Sequence, residues 1–479
     1  GGKGVVGRAN FGPLLSRRGL WPVTSIRGVP LESNHLKGRM ATTPGTGDHR
    51  RVKSAAFLFA CGCAGAAPHW LDPARSLWPA ISMALILGGY GLRTVLRGDL
   101  SSNAGSEPTS VDPHSFPSLD VVVAARDEEG VVTRLVERLT SLRYPADRMS
   151  TWVIDDGSQD RTPQLLDELA AQHPSLRVIH RERDAGGGKS GALNTALSQL
   201  SGEWLLVLDA DAQLQDDLLE RLVPYALDGG WSAVQLRKAV IDADCNWLTR
   251  AQAMEMALDA VIQTGRLAGG GVAELRGNGQ LIKRSELERS GGFNEDTVTD
   301  DLDLSFRLLS HGALVGLLWD PPVQEEAVPG LRALLKQRQR WAEGGLQRFF
   351  DYWPTLTSAE LSLRQRWDLT CFFLLQYGLP VVSFADLSTS LISRSTPTYW
   401  PLSIIAFSVS GLAYWRGCRV RSEGPAIPRP GIWHMLVAIA YLGHWFVVIP
   451  WVTLRMALLP KRLVWAKTSH GPSQLPAGA

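Results

Sequence analysis

An excess of charge of either sign is missing from this 479-residue chain: 49 Lys and Arg face 47 Asp and Glu, a formal net charge of +2. Without a basic surplus there is no general electrostatic footprint for nucleic acid, which is therefore not an expected partner. Cysteine is also scarce. The five present (Cys61, Cys63, Cys245, Cys371 and Cys418) show no zinc-ligand spacing and imply no disulfide framework. Cys61 and Cys63 lie in an apolar run and read as small hydrophobes, which suits a reducing compartment. No Gly-x-Gly-x-x-Gly follows the first strand-like run and no full Walker pattern occurs, so dinucleotide and P-loop binding are unsupported. A mean hydropathy of -0.03 is that of an ordinary soluble protein. Tryptophan does not fit that picture: there are 17, nine of them beyond residue 340.

The chain divides by composition. Residues 1–53 are basic, with Glu32 and Asp48 the only acids, and read as a disordered or targeting leader that could begin biologically at Met40. Two apolar stretches, 54–67 and 77–96, predict an N-terminal membrane hairpin over 54–97, and the second reaches the ~20 residues that cross a bilayer. A linker at 98–118 follows. Over 119–350, short apolar runs (DVVVAA, WVIDDG, LRVIH, WLLVLDAD) alternate with amphipathic segments at 130–142, 163–173 and 190–200. That alternation predicts an α/β domain with a parallel sheet, whose ligands bind beyond the carboxyl ends of the strands. An interfacial helix is expected at 351–366, membrane helices at 367–460 and a tail at 461–479. The apolar runs 369–392, 399–415 and 431–459 are bounded by Trp, Tyr and Arg, which accounts for the late tryptophans as interfacial belts. The last run is long and contains Pro450, so it reads as one tilted span, a broken span or a re-entrant pair. Arg416, Arg419, Arg421 and Arg429 put the loop 416–429, and with it the α/β domain, on the cytoplasmic side of an integral membrane protein.

Acidic sites recur in order along the α/β domain: Asp155-Asp156-Gly157 at a strand end, Asp209-Ala210-Asp211 at another, then Thr299-Asp300-Asp301, with Gln337-Arg338-Gln339-Arg340-Trp341 last. Singly, each has a plain reading as turn or cap. Asp209 and Asp211 project to the same side of an extended segment and could hold Mg2+ or Mn2+, which completes its shell with substrate phosphates and water. Such an ion would neutralise a diphosphate leaving group. Gly186-Gly187-Gly188-Lys189 permits close backbone approach and supplies a cation for phosphate. Asp301 is then available to take the proton of an attacking hydroxyl, and Asp300 beside it could raise its pKa.

These residues resemble the family 2 glycosyltransferases, inverting enzymes with a GT-A fold (Rossmann-like, mostly parallel sheet) that use nucleotide sugars. The resemblance covers about 119–350 and extends to the flanking membrane helices. VVVAARDEE resembles the family's first strand and turn, which implies a nucleotide-sugar role for Ala125, Arg126 and Glu128; Asp127 replaces the usual Asn. WVIDDGSQDRT implies uracil contacts for Asp155 and Asp156, and GGGKSGALN is similar to the element that ends here in Asn194. Lys189 and Asp209 are implied on the donor side, Asp209 and Asp211 at the metal, and Asp301 as the base, with Asp300 in place of the usual Glu. Gln337, Arg340 and Trp341 match Gln-x-x-Arg-Trp, which in relatives lies by the acceptor and the diphosphate.

A narrower resemblance, in QRQRWAEGGLQRFFDYW, is to the cyanobacterial monoglucosyldiacylglycerol synthases. It implies transfer of glucose from UDP-glucose to the 3-hydroxyl of 1,2-diacylglycerol, β-linked, at a membrane surface. Trp341, Phe349, Phe350, Tyr352 and Trp353 would line a lipid entrance or form an interfacial packing helix. A processive β-glycan synthase shares all four motifs, and a non-catalytic scaffold would need none of the acids.

Overall fold

The computed structural model describes residues 49–71, 76–98, 100, 116–428 and 431–460. The leader up to residue 48, the hairpin turn at 72–75, most of the linker, Arg429 and the tail from 461 lie outside the described residues. In chain order the principal helices and strands are α1 (Arg50–Ala66), α2 (Trp78–Arg97), β1 (Leu119–Ala125), α3 (Val132–Ser141), β2 (Met149–Asp155), α4 (Thr162–Gln172) and β3 (Leu176–His180). There follow α5 (Gly188–Leu197), β4 (Trp204–Asp209), α6 (Leu218–Asp228), β5 (Ala233–Val240), α7 (Trp247–Ala268), β6 (Gln280–Lys283), α8 (Asp300–Ser310), β7 (Val315–Glu325) and α9 (Leu331–Asp351). The last are α10 (Leu363–Ser393), α11 (Trp400–Gly417), α12 (Ile432–Leu442) and α13 (Trp445–Leu458).

β1 is buried at every position and rich in valine, as a strand covered on both faces should be. It lies centrally in a seven-stranded sheet ordered β3-β2-β1-β4-β6-β5-β7. The pairs β1–β2, β1–β4, β2–β3 and β5–β7 are parallel, whereas β6 runs antiparallel to both neighbours. α3 shows why helices cover the sheet: Val132, Leu135, Val136 and Leu139 recur at helical spacing and are its buried residues. One apolar core forms on each face, Val121 and Val123 facing one and Val122 and Ala124 the other.

A third core joins the two halves of the molecule. It contains Leu87 of α2, Phe306 of α8, Phe349 of α9, Phe373 and Tyr377 of α10, and Val448 of α13. α2, α10 and the combined stretch Ile432–Leu458 are long and apolar enough to cross a membrane. α1 and α11 are not among these three. α1 instead packs so closely on α10 that a Cβ on Gly65 would lie 2.5 Å from the Val382 carbonyl oxygen.

Two details differ from expectation. The final stretch is interrupted at Gly443–His444, while Pro450 sits inside α13. The N–H groups of Gly443, His444, Phe446 and Val447 bond carbonyls three residues back, a tightening of the helix that absorbs the bend before the proline. Residues 351–366 do not form one helix: after α9 ends at Asp351, a 3-10 turn at Trp353–Thr357 is followed by the Ser362 cap of α10, whose side chain pairs reciprocally with Gln365. Phe349 and Phe350 are buried in the third core and Trp353 is exposed, so the aromatic run divides between packing and surface.

The loop after α11 lies on the sheet. Glu423 accepts from Arg221 Nη1 at 2.8 Å, its backbone N–H donates to Asp320 Oδ1 at 3.1 Å, and Ser422 Oγ accepts from Trp319 Nε1 at 3.1 Å. The arginine-bearing loop and the α/β domain therefore share one side of the spanning helices.

Candidate active site

The carboxyl ends of β1, β2 and β4 carry the first acids. Asp155 is buried; its Oδ1 accepts from Ser158 N–H at 3.0 Å, and its Oδ2 meets His180 Nδ1 at 2.9 Å. Asp156 is gripped by Arg126 at 3.3 Å and by Arg181. Burial pushes the Asp156 carboxyl above its ordinary value, and the two guanidiniums oppose that shift. Asp127 has φ 54, a conformation that short polar side chains tolerate best. That explains how Asp replaces Asn here, with Arg183 at 3.3 Å answering the added charge.

The three glycines leading into α5, the last being its first residue, all have positive φ (75, 71 and 53), so the chain turns there as side-chain-bearing residues rarely can. A Cβ on Gly187 would also strike Glu295, 2.4 Å away. Asn194 holds the facing loop: its Nδ2 donates to Glu295 Oε1 at 2.8 Å, and its Oδ1 accepts from Phe293 N–H at 2.9 Å. Lys189 is delivered to Asp209, Nζ to Oδ1 at 2.5 Å. Burial alone would raise the Asp209 carboxyl, but Lys189, Lys238 and Arg340 pull it below its ordinary value. Among the described residues no three His, Cys, Asp or Glu side chains converge as a metal cage.

Asp300 and Asp301 open α8, where the helix dipole favours negative charge. Asp301 nevertheless has its carboxyl pushed up to about 6, first by burial and then by the Asp300 charge, with Arg276 and Lys238 opposing. Arg276 is itself pinned, donating to Asp259 Oδ1 at 3.0 Å and to Glu274 Oε2 at 3.0 Å. Glu274 is fully buried and also pairs with Arg348 at 3.2 Å and Arg266 at 3.6 Å. Arg266 reaches Asp368 of α10 at 2.9 Å, and Tyr90 of α2 donates to the same carboxylate at 2.8 Å. A chain of ion pairs thus runs from Arg276, whose charge acts on Asp301, to Asp368 of α10, and the Tyr90 hydrogen bond extends it to α2.

On α9, Gln337 accepts from Arg338 at 2.8 Å, and the Arg338 guanidinium lies 4.0 Å over the Trp341 ring. Glu255 and the Tyr441 hydroxyl hold that guanidinium at 2.5 and 3.1 Å. Burial lowers the Arg340 pKa, against the pull of Asp209, Asp301 and Asp300.

One cavity of about 840 Å³ collects most of these side chains. Arg126, Glu128, Lys189, Asp209 and Asp211 line it together with Asp300, Asp301, Gln337, Arg340 and Trp341. It continues into an apolar chamber lined by Leu87, Leu375, Leu402, Ile405, Val409 and Phe446, all from α2, α10, α11 and α13. Ala125, Asp155 and Asp156 are outside this lining. The Ala125 side chain turns into the core with Val121 and Val123, and Ala124 faces the cavity instead, as strand alternation requires. Sequence reasoning passed over Lys238, Glu255, Arg276 and Arg348. Arg338 fell on a variable position of Gln-x-x-Arg-Trp, and only the doubled arginine marked it.

The sequence profile described as glycosyltransferase like family 2 matches residues 117–344. The beta-monoglucosyldiacylglycerol synthase of Synechocystis sp. is 42% identical over 433 residues, covering 88% of this chain and 88% of that protein. The chain belongs to the family 2 glycosyltransferases. A second member named beta-monoglucosyldiacylglycerol synthase, from Trichormus variabilis, is 41% identical over 360 residues, or 74% of this chain and 77% of that protein. In structure, this family 2 glycosyltransferase is similar to a mannosyltransferase from Pyrobaculum calidifontis solved with GDP-Man and Mn2+ (TM-score 0.53, 22% identity, 79% of this chain and 98% of that one). The seven-stranded, mostly parallel sheet is therefore a GT-A fold.

Proposed function

We propose that the protein transfers glucose from UDP-glucose to the 3-hydroxyl of 1,2-diacylglycerol, forming β-monoglucosyldiacylglycerol at the cytoplasmic face of its membrane. The observation that carries this reading is the continuity of one cavity from a cluster of acids into an apolar chamber between spanning helices. A diacylglycerol divides in the same way, with one hydroxyl and a polar core at one end and two hydrocarbon chains at the other. The names of the similar proteins supply the sugar and the lipid.

Asp301, its carboxyl pushed up to about 6, takes the proton of the acceptor hydroxyl, which attacks the anomeric carbon opposite the departing UDP and inverts it. Arg126, Glu128, Asp155 and Asp156, with the backbone at Ala125, shape the uridine side. Lys189 and Arg340 supply positive charge to the diphosphate, and Gln337, Trp341 and Asp300 border the acceptor. Asp209 and Asp211 fit Mg2+ or Mn2+, since both are hard oxygen donors. When bound, the ion would stabilise the diphosphate charge.

Membranes containing the protein, given radiolabelled UDP-glucose and diacylglycerol, should place label in an organic-soluble monoglucosyl lipid. Label confined to insoluble polymer overturns this reading in favour of a β-glycan synthase.

A further inference from the structure

Between the acids and the apolar chamber the cavity wall carries polar groups whose bonding is incomplete. Arg348 is 2% exposed. Its Nη2 reaches Glu274, but Nε and Nη1 are buried without a hydrogen-bond partner. Gln376 lines the same cavity, and its Oε1 is likewise buried with no donor. Buried polar atoms in a native protein are nearly always paired, so two such residues on one cavity wall point to a ligand that completes them.

Backbone geometry singles out the same level. Gln376 belongs to a π-helical turn, Leu374–Gly378, within α10, and α2 carries another at Ala84–Gly88. Leu375, Gln376 and Tyr377 from one turn and Leu87 and Gly88 from the other all line the cavity. Turns of this kind inside α-helices frequently mark functional sites. Placement relative to the base is equally specific. Arg276 and Arg348 share Glu274, and Arg276 lines the cavity together with Asp301.

Charge decides what kind of ligand suits the subsite. The network contains three guanidiniums (Arg266, Arg276 and Arg348) and three carboxylates (Asp259, Glu274 and Asp368), so it carries no surplus for an anion. Donor N–H groups in an electrically balanced wall fit neutral carbonyl oxygens. We propose that Arg348 and Gln376 form the subsite that binds the ester carbonyls of the glycerolipid acceptor, presenting its free hydroxyl, a few bonds away, to Asp301. Arg348 donates through Nε and Nη1, and a flip of the Gln376 amide turns its N–H groups to the second carbonyl. This rests on the diacylglycerol reading above and adds how the lipid is read: by its ester linkages, since an apolar chamber cannot tell one hydrocarbon chain from another.

The test compares a diacylglycerol with a dialkylglycerol ether of the same chain length, using the full chain in mixed micelles with UDP-glucose. The wild-type kcat/KM should favour the diester by at least about tenfold, the worth of one hydrogen bond to a charged donor. Arg348→Gln and Gln376→Leu should each bring that ratio toward one, through a higher KM for the diester, with the KM for UDP-glucose in place. Gln376→Leu removes an oxygen that has no partner, so it serves even where Arg348→Gln leaves Glu274 underpaired and fails to fold. Equal use of both lipids by the wild type overturns the proposal, as does a ratio that survives Gln376→Leu. Competitive inhibition by a lipid phosphate of equal chain length at concentrations below the KM for the diester overturns it in favour of an anion. Polymer without any glycolipid overturns the diacylglycerol reading itself, and the subsite with it.

Discussion

Asp301 stands where two influences disagree. The first turn of a helix favours an ionised carboxylate, whereas burial and Asp300 lift its pKa to about 6. A base is useful when deprotonated, so kcat/KM should climb as pH rises toward about 6 and level off above it, read from a pH–rate profile. The sign for stability is opposite. Between the ordinary value of 3.8 and about 6 the folded chain holds a proton that the unfolded chain has lost, so this group's contribution to stability fades as pH rises through that window. Asp301→Asn should cost about 10²- to 10⁴-fold in turnover, with UDP affinity by calorimetry nearly unchanged. A variant with wild-type turnover refutes the assignment. At Asp209 the neighbouring Lys189 already balances the carboxylate. Chelation of divalent cations should therefore abolish transfer while leaving the thermal unfolding midpoint where it was; a large drop in that midpoint would mean that the ion also holds the fold together.

Among the elements, α9 has the tightest seat. A Cβ on Gly344 would lie 2.0 Å from Thr299 Oγ1, and one on Gly345 would lie 1.8 Å from the Tyr377 hydroxyl. This helix is thus pressed at adjacent residues against the residue preceding the α8 acids and against a spanning helix. Gly345→Ala should destabilise the protein by about 1–3 kcal/mol, as overpacking does, visible as a lower melting temperature in detergent; an unchanged melting temperature would mean that Tyr377 moves freely. Such contacts explain what could be read from sequence and what could not. β1, β2 and β4 with their terminal acids were legible, because valine-rich runs of strand length and carboxylates at their ends are local patterns. The interruption at Gly443–His444 was not, since proline is the conspicuous helix breaker and Pro450 drew attention away from the turn before it. Arg348 and Glu274 gave no signal either: partners so far apart in the chain, like Arg266 and Asp368 at a separation of 102, leave no periodicity behind.

At the scale of the molecule, the chamber should be separable from the chemistry. Ala406, on α11, lines the cavity among apolar neighbours. Ala406→Trp should raise the KM for diacylglycerol at least about tenfold, given the several buried methylenes it displaces, while UDP binding stays intact; equal KM values would show that lipid enters by another route. The membrane attachment as a whole was foreseeable from the late tryptophans, but its intimacy was not. Buried ion pairs and the loop around Glu423 fasten the sheet to the spanning helices. A catalytic head fixed in this way cannot reach into the water for its lipid. Its acceptor supply is then a surface density: the rate should follow the mole fraction of diacylglycerol in the bilayer and stay constant when the same vesicles are diluted in more buffer. Only the sugar nucleotide should be sensed as an ordinary bulk concentration.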